Sequence, residues 1–269
     1  MPIHIYPSNN NPKKVKNLWI YFLSNWKKLK SVSVYTGGRW KLVYKNEFDP
    51  ITINGGTDVN IRNRWQERYP GETPAGLIRV TIAGNCVASS TGTYGLDTGT
   101  WPNDIEGLII NINPGVFIAG KGGNGASGRA GGGAGGPAMR IQHACTIDNF
   151  GTIGGGGGGG AGGATPSNCC GNMCGAPGGG GAGSGTGGSN CLGTAGNGSI
   201  SSGGGPVSFT FFRATYSGGA GGGLGRSGGN APHNASATNY GGSPGASIVR
   251  SSGIGYTLIN AGTVTPSPA

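Results

Sequence analysis

Side chains able to do acid–base or nucleophilic chemistry are few here and lie far apart. The 269 residues hold three histidines (His4, His143 and His233), nine carboxylates and six cysteines. General acid–base work needs such groups within reach of one another. After Asp148 there is no Asp or Glu, and His233 is the one histidine in that stretch. Hydrolytic catalysis is therefore not expected, and the chain reads as a non-enzyme. Gly241-Gly-Ser-Pro-Gly245 matches the Gly-x-Ser-x-Gly pattern, but no strand–elbow–helix context surrounds it and no acid follows it. Calcium-binding glycine repeats need a recurring Asp, which residues 149–269 lack. Among the thiols, Cys170 to Cys174 fits the spacing of a zinc half-site and no second pair completes it, so neither a metal nor another cofactor is expected. Two readings of Cys169, Cys170, Cys174 and Cys191 stay open. One is a disulfide pinning the loop, which an extracellular particle permits although assembly in a reducing cytoplasm does not favour it; the other is small buried or loop thiols.

The elements that would position any site are set by glycine. Sixty-two residues are Gly, 11 of them in residues 1–113 and 51 in residues 114–269. Gly154–Gly160 is an unbroken run, which excludes the strict triplet of collagen. Long helices are excluded too, because Gly costs about 1 kcal/mol relative to Ala at each helical position. No stretch approaches the ~20 apolar residues that span a bilayer. The first residues lack a basic region followed by an apolar core, so neither membrane insertion nor a signal peptide is expected. Residues 1–80 carry 13 of the 19 basic residues and 5 of the 9 acidic ones.

Residues 1–46 contain a short internal repeat. Val15-Lys-Asn-Leu-Trp-Ile-Tyr-Phe leads through a turn to Trp26-Lys-Lys-Leu-Lys, and Val32-Ser-Val-Tyr-Thr leads through Gly37-Gly38 to Arg39-Trp-Lys-Leu-Val-Tyr-Lys. Each half predicts a hairpin, and together they predict a four-stranded meander with lysines on one face and aromatics on the other. Lys13, Lys14, Lys16, Lys27, Lys28 and Lys30 suit a solvated face, a nucleic-acid contact or an attachment surface. Residues 47–118 read as a β-rich connector, with strands at 51–54, 76–83 and 107–113 and one short helix over 60–69 ended by Pro70-Gly71.

Residues 119–269 alternate glycine-rich stretches with segments that carry side chains, such as Ile141, Ile147, Phe150 and Ile153. Such sequence can order as polyglycine-II helices, which have three residues per turn and every N–H and C=O pointing outward. Without side chains, neighbouring helices approach and bond laterally. An isolated glycine helix could not offset the entropy of ordering Gly, whereas a dense bundle could. The expected fold is therefore mostly β and irregular: a β-meander, a β-rich region, and a polyglycine-II sandwich with almost no α-helix. If each glycine stretch is one helix, segments 164–177 and 206–217 share one end of the bundle. Segments 189–193 and 231–240 then share the other end with 137–153.

Two passages, Gly107-Leu-Ile-Ile-Asn-Ile-Asn-Pro-Gly-Val-Phe-Ile-Ala-Gly-Lys-Gly-Gly-Asn-Gly125 and Thr146-Ile-Asp-Asn-Phe-Gly-Thr-Ile-Gly154, resemble the entry into the glycine-rich region of tailed-bacteriophage tail-fibre tip adhesins. The closing passage Gly241-Gly-Ser-Pro-Gly-Ala-Ser-Ile-Val and Ile259-Asn-Ala-Gly-Thr-Val264 is similar to them as well. The likeness covers about 107–269 well and 1–106 loosely. It implies a virion protein, made in the host cytoplasm, that sits at the distal tail fibre or tail tip. Its N-terminal part would dock on a tail-fibre or tail-tip protein, here through Trp19, Tyr21, Trp26, Tyr35, Trp40 and Tyr44. Its glycine-supported loops would bind a bacterial outer-membrane protein or surface glycan, with no nucleic acid involved.

The side chains best suited to contact a receptor lie between the glycine stretches. Phe209, Phe211, Phe212, Arg213 and Tyr216 form a group of aromatic and Arg residues, the types that dominate binding hot spots. Asn168 and Met173 belong to the cysteine loop, and His233, Asn234 and Tyr240 to a polar Asn/Ser/Tyr loop of the kind that suits adaptable recognition. A structural tip cap or fibre-assembly protein is the alternative function, and the aromatics of 206–217 argue against it, since a cap has no reason to expose them. An ice-binding bundle would show regular Gly-x-x repeats, which are not found.

Overall fold

The computed structural model describes residues 19–22, 25–28, 31–36, 39–45, 49–74, 76–103, 105–164, 175–211, 214–234 and 237–267. The N-terminal repeat forms two hairpins. Trp19–Phe22 (β1) pairs with Asn25–Lys28 (β2), and Ser31–Thr36 (β3) pairs with Arg39–Lys45 (β4). They are separate two-stranded sheets among the described residues, so the expected four-stranded meander is not formed there. The register of the first hairpin pairs Trp19 with Lys28 and Tyr21 with Trp26.

From residue 51 the chain winds as a parallel β-solenoid of five rungs and three sheets. Rung one is Ile51–Ile53 (β5), Gly56–Thr57 (β6) and Val59–Asn60 (β7); Ile61–Arg68 (α1) follows it. Rung two is Gly76–Ile82 (β8), Cys86–Val87 (β9) and Leu96–Asp97 (β10). Rung three is Ile105–Ile112 (β11), Phe117–Ala119 (β12) and Met139–Ile141 (β13). Rung four begins with Cys145–Asn149 (β14) and Thr152–Gly154 (β15). Three hairpins then intervene: Ser189–Asn190 (β16) with Gly193–Thr194 (β17), Ser208–Phe211 (β18) with Ala214–Ser217 (β19), and Ala231–Asn234 (β20) with Ala237–Asn239 (β21). Ile248–Arg250 (β22) completes rung four, and Tyr256–Asn260 (β23) with Thr263–Thr265 (β24) makes rung five.

The sheets run in the orders β5-β8-β11-β14-β23, β6-β9-β12-β15-β24 and β7-β10-β13-β22, all parallel. Alternation in the sequence creates this register. In Gly76-Leu-Ile-Arg-Val-Thr-Ile82, Ile78, Val80 and Ile82 are buried while Arg79 is exposed. Stacking rungs then lines up Ile51, Val80, Ile110 and Ile147 in one inward row, each contributing roughly 1.5–3 kcal/mol on full burial. Asn149 continues the next row beneath Ile82 and Ile112 and is fully buried. Its amide donates to Asn260 Oδ1 at 2.7 Å, and its Oδ1 accepts from the Gly151 backbone at 3.1 Å. A buried amide thus closes both its acceptor and its donor sides. The expected helix is present. Asn60 caps it by accepting from Asn63 N at 3.0 Å, and Ile61 and Trp65 enter the solenoid core.

The long glycine-rich insertions enter this frame at one corner. The connection from the second sheet to the third is residue 58 alone in rung one, 88–95 in rung two, 120–138 in rung three and 155–247 in rung four. The solenoid and the glycine region are therefore interleaved. Segments 139–154 and 248–265, which composition groups with the glycine-rich part, run in the same three sheets as residues 51–119. Composition misses this because 248–265 pairs with 139–154 from more than a hundred residues away, across the insertion.

Cys86 and Cys145 are free thiols inside this core. Burial pushes both up to about 12, against a small opposing pull on Cys86 from Arg64. Both are therefore protonated at pH 8, and neither should be alkylated in native protein at that pH. Peptide mapping after iodoacetamide should find both labelled only after denaturation; labelling of the native chain would show that the solenoid opens at these rungs.

Candidate functional site

The glycine runs meet at residues 154–163, which are all buried. Every third residue of this run faces the same neighbour, as a helix of three residues per turn requires. Gly156, Gly159 and Gly162 donate to the carbonyls of Gly136, Gly133 and Ala130. Gly157, Gly160 and Gly163 donate to those of Ala182, Gly179 and Ala176, and Gly155, Gly158 and Ala161 to those of Thr265, Arg226 and Gly229. In return the run accepts from Gly120, Gly123 and Ala126, from Gly245 and Gly242, and from Gly225, Gly222 and Gly219, all at 2.7–3.0 Å. Six glycine-rich strands thus surround one central strand. A β-carbon at Gly156, Gly158 or Gly160 would lie 1.7–1.9 Å from a neighbouring backbone oxygen, so only glycine permits the spacing.

Ten residues at about 3.1 Å each carry the bundle roughly 30 Å out from the solenoid corner. The inner turns lie against the solenoid. At residues 183–184, Gly183 (φ +86°) and Ser184 (φ 63°) both donate to Ser199 O, at 2.8 and 3.1 Å. The turn at 199–202 is closed by a bond from Ser199 N to Ser202 O at 2.8 Å, and Leu224 packs on Ala119 and Ala182. These turns sit inside stretches that read as single glycine helices, and they change the expected parity. The described ends of segments 164–177 and 206–217 do lie together, but 189–193 and the described parts of 231–240 lie at that same end. The signal was available in Ser184, Ser199-Ile-Ser-Ser202 and Leu224, the breaks in the glycine runs.

Among the described residues, the turn at 127–130, the β16–β17 turn and the strands β18–β19 and β20–β21 therefore project together, beside the chain ends at Ala164 and Gly175. Hydrogen bonds join their bases. Asn190, which sequence reasoning passed over, donates its amide to Ser127 O and Gly175 O, both at 2.6 Å. Val207 N donates to Pro177 O at 3.0 Å, and the Asn239 amide to Gly162 O at 2.7 Å.

Of the expected contact residues, Phe209 and Tyr216 face each other across the β18–β19 hairpin, with half-buried rings stacked at 5.3 Å and 20°. Ser208 and Ser217 (2.8 Å) and Thr210 and Thr215 (3.3 Å) pair hydroxyls at the alternate positions. Phe211 pairs in register with Ala214, His233 lies in β20, and Asn234 pairs with Ala237. Tyr240 is 71% exposed, and its carbonyl accepts from Gly132 N at 3.0 Å. Phe212, Arg213, Asn168, Met173, Cys169, Cys170 and Cys174 lie outside the described residues. Cys191 is disulfide-bonded, and since Cys86 and Cys145 are free its partner is also outside them. Away from the tips, Asp97 is held by Arg140 (Nε at 3.2 Å), the Gly99 backbone (3.0 Å) and the Asn60 amide (3.3 Å). It serves as a corner brace of the third sheet.

A family model described as the phage tail fibre adhesin Gp38 matches residues 50–267. The chain belongs to this adhesin family. The match starts at the first rung of the solenoid, so the likeness extends well before residue 107 and leaves the twin hairpins outside it. A solved structure, the gp37–gp38 adhesin tip complex of the bacteriophage S16 long tail fibre, is 24% identical over 84% of this chain and 83% of that one, with a TM-score of 0.63. No curated protein matches. The adhesin is thus a receptor-binding protein of the phage tail, and its β-rich fold with one short described helix is that of the S16 tip structure.

Proposed function

We propose that the adhesin recognises its host through these clustered tips, and that the solenoid and glycine bundle act as a stiff mount. The observation that carries this reading is the convergence of the described loop bases of the bundle at the end away from the solenoid. A rigid mount lowers the ordering cost that free loops would incur on binding. The stacked Phe209 and Tyr216 then form a preordered aromatic contact, with Phe211, Phe212 and Arg213 at the hairpin end. Asn168 and Met173 belong to the segment between Ala164 and Gly175, and His233, Asn234 and Tyr240 to the segment 231–240. The receptor is an outer-membrane protein or a surface glycan. The Cys191 disulfide closes on the loop bearing Cys169, Cys170 and Cys174, and it forms after the particle leaves the cytoplasm in which it is made.

The N-terminal region attaches the adhesin to a tail-fibre protein through Trp19, Tyr21, Trp26, Tyr35, Trp40 and Tyr44. The S16 relative, which is seen complexed with gp37, supports a fibre partner of this kind. Catalysis has no part in this reading.

The test is adsorption of purified adhesin to host cells, comparing wild type with a variant carrying Phe209→Ser, Phe211→Ser, Phe212→Ser and Tyr216→Ser. Loss of several hot-spot side chains should weaken binding by about a hundredfold or more, with circular dichroism unchanged. Equal binding by both proteins would remove this hairpin from the contact.

A further inference from the structure

The twin hairpins repeat one another in cross-strand register as well as in sequence. In the first, Tyr21 pairs with Trp26 and Ile20 with Lys27. In the second, Tyr35 pairs with Trp40 and Val34 with Lys41. Each thus sets an aromatic pair beside an aliphatic–lysine pair, at the same distance from its turn. The charge is equally patterned. Strands β1 and β3 carry no charged residue, whereas β2 holds Lys27 and Lys28, and β4 holds Arg39, Lys41 and Lys45. Residues 1–46 contain nine basic residues and no carboxylate, and all nine carboxylates fall within 47–148. Several of those are already engaged within the solenoid: Asp58 by Ser89, Glu67 by Arg64 and Asp97 by Arg140. The module also lies outside the region matched to the adhesin family, so that shared body is defined without it.

We infer that this module docks on a protein surface rich in carboxylates that presents the same site at least twice, as two subunits of an oligomeric fibre would. The inference rests on the attachment reading above and adds the chemistry and multiplicity of the partner. A protein with nine cations and no anion in one segment is repelled by basic surfaces and steered to acidic ones. Duplication of one register makes a bivalent clamp, in which the second contact forms at high effective concentration once the first is made.

The experiment uses virions carrying the full-length adhesin and measures adhesin retained per particle after washing in 0.1 M and 1 M NaCl. Four variants are compared: Lys27→Gln with Lys28→Gln, Arg39→Gln with Lys41→Gln, all four changes together, and deletion of residues 1–46. At 1 M salt, where charges are screened beyond about 3 Å, wild-type retention should fall by about tenfold or more. Each hairpin variant should lose a similar factor at 0.1 M, and the combined variant more than the product of the two. Full retention of the deletion variant would overturn the attachment reading itself. Loss of the deletion variant, with retention by the charge variants and no effect of salt, would leave attachment standing and overturn the acidic partner. If one hairpin variant behaves like wild type, the duplicated site is overturned. Release by nuclease would replace the protein partner with nucleic acid.

Discussion

Replacing Gly158 with alanine should unfold the glycine bundle at temperatures where the wild type is intact. The new methyl carbon would sit 1.7 Å from the carbonyl oxygen of Gly242, where ordinary contact needs roughly twice that. A β-carbon is fixed by the main chain that bears it and its partner is a backbone oxygen, so no rotamer change can relieve the overlap. The central strand is hydrogen-bonded on all sides, so a shift to escape Gly242 breaks bonds elsewhere. Overpacking a tight interior typically costs about 1–3 kcal/mol, and a clash between two main chains should lie at or above the top of that range. Gly205→Ala is the matched control, because Gly205 is exposed, in the same region, and a β-carbon there meets nothing within 4 Å. Its effect should stay within about 0.5 kcal/mol. Thermal unfolding of the two variants measures the difference directly, and equal melting temperatures would mean the glycine strands do not pack as described.

The second large effect concerns which end of the bundle meets the cell. A biotin-acceptor peptide inserted after Leu192, in the β16–β17 tip, places a label beside the tip formed by β18 and β19. The same peptide inserted after Ser201 labels an exposed turn at the solenoid end. Streptavidin bound at the tip should cover the neighbouring described loops. Adsorption should then be abolished by streptavidin for the insertion after Leu192 and retained for the insertion after Ser201. The reverse result would restore the parity in which 189–193 and 231–240 lie opposite 206–217. Both insertions fall in exposed loops, where added residues cost little, so both variants should fold.

The glycine strands themselves are legible in the sequence because their chemistry is local. A run such as Gly154–Gly160 can neither be a helix nor fill a hydrocarbon core, and lateral packing of three-residue turns is what remains. Alternation in Gly76–Ile82 and Ile105–Ile112 likewise fixes strands with one buried face, and Asn60 followed by an apolar residue four before Trp65 fixes a short helix. The Tyr-x4-Trp spacing in both halves of the N-terminal repeat fixes two hairpins of equal register. The aromatic cluster at 209–216 points to a contact surface, in keeping with the receptor-binding adhesin family.

What only the tertiary structure decides is order in space. Strand β14 stacks on β11 on one side and on β23 on the other; the residues of β23 lie more than a hundred positions away beyond the insertion, and nothing in the local sequence of Cys145–Asn149 names that partner. Pairing at such separation is set by which inward rows of Ile and Leu complete a common core. The same holds for the tips. Whether a glycine stretch is one helix or two depends on a turn of one or two residues, and glycine is equally permissive of both. The choice is made by the neighbours each carbonyl finds, as Ser199 O does with Gly183 and Ser184. The residue types of the candidate site are set by sequence; the gathering of the described tips at one end follows from lateral hydrogen bonds between strands that sequence alone cannot pair.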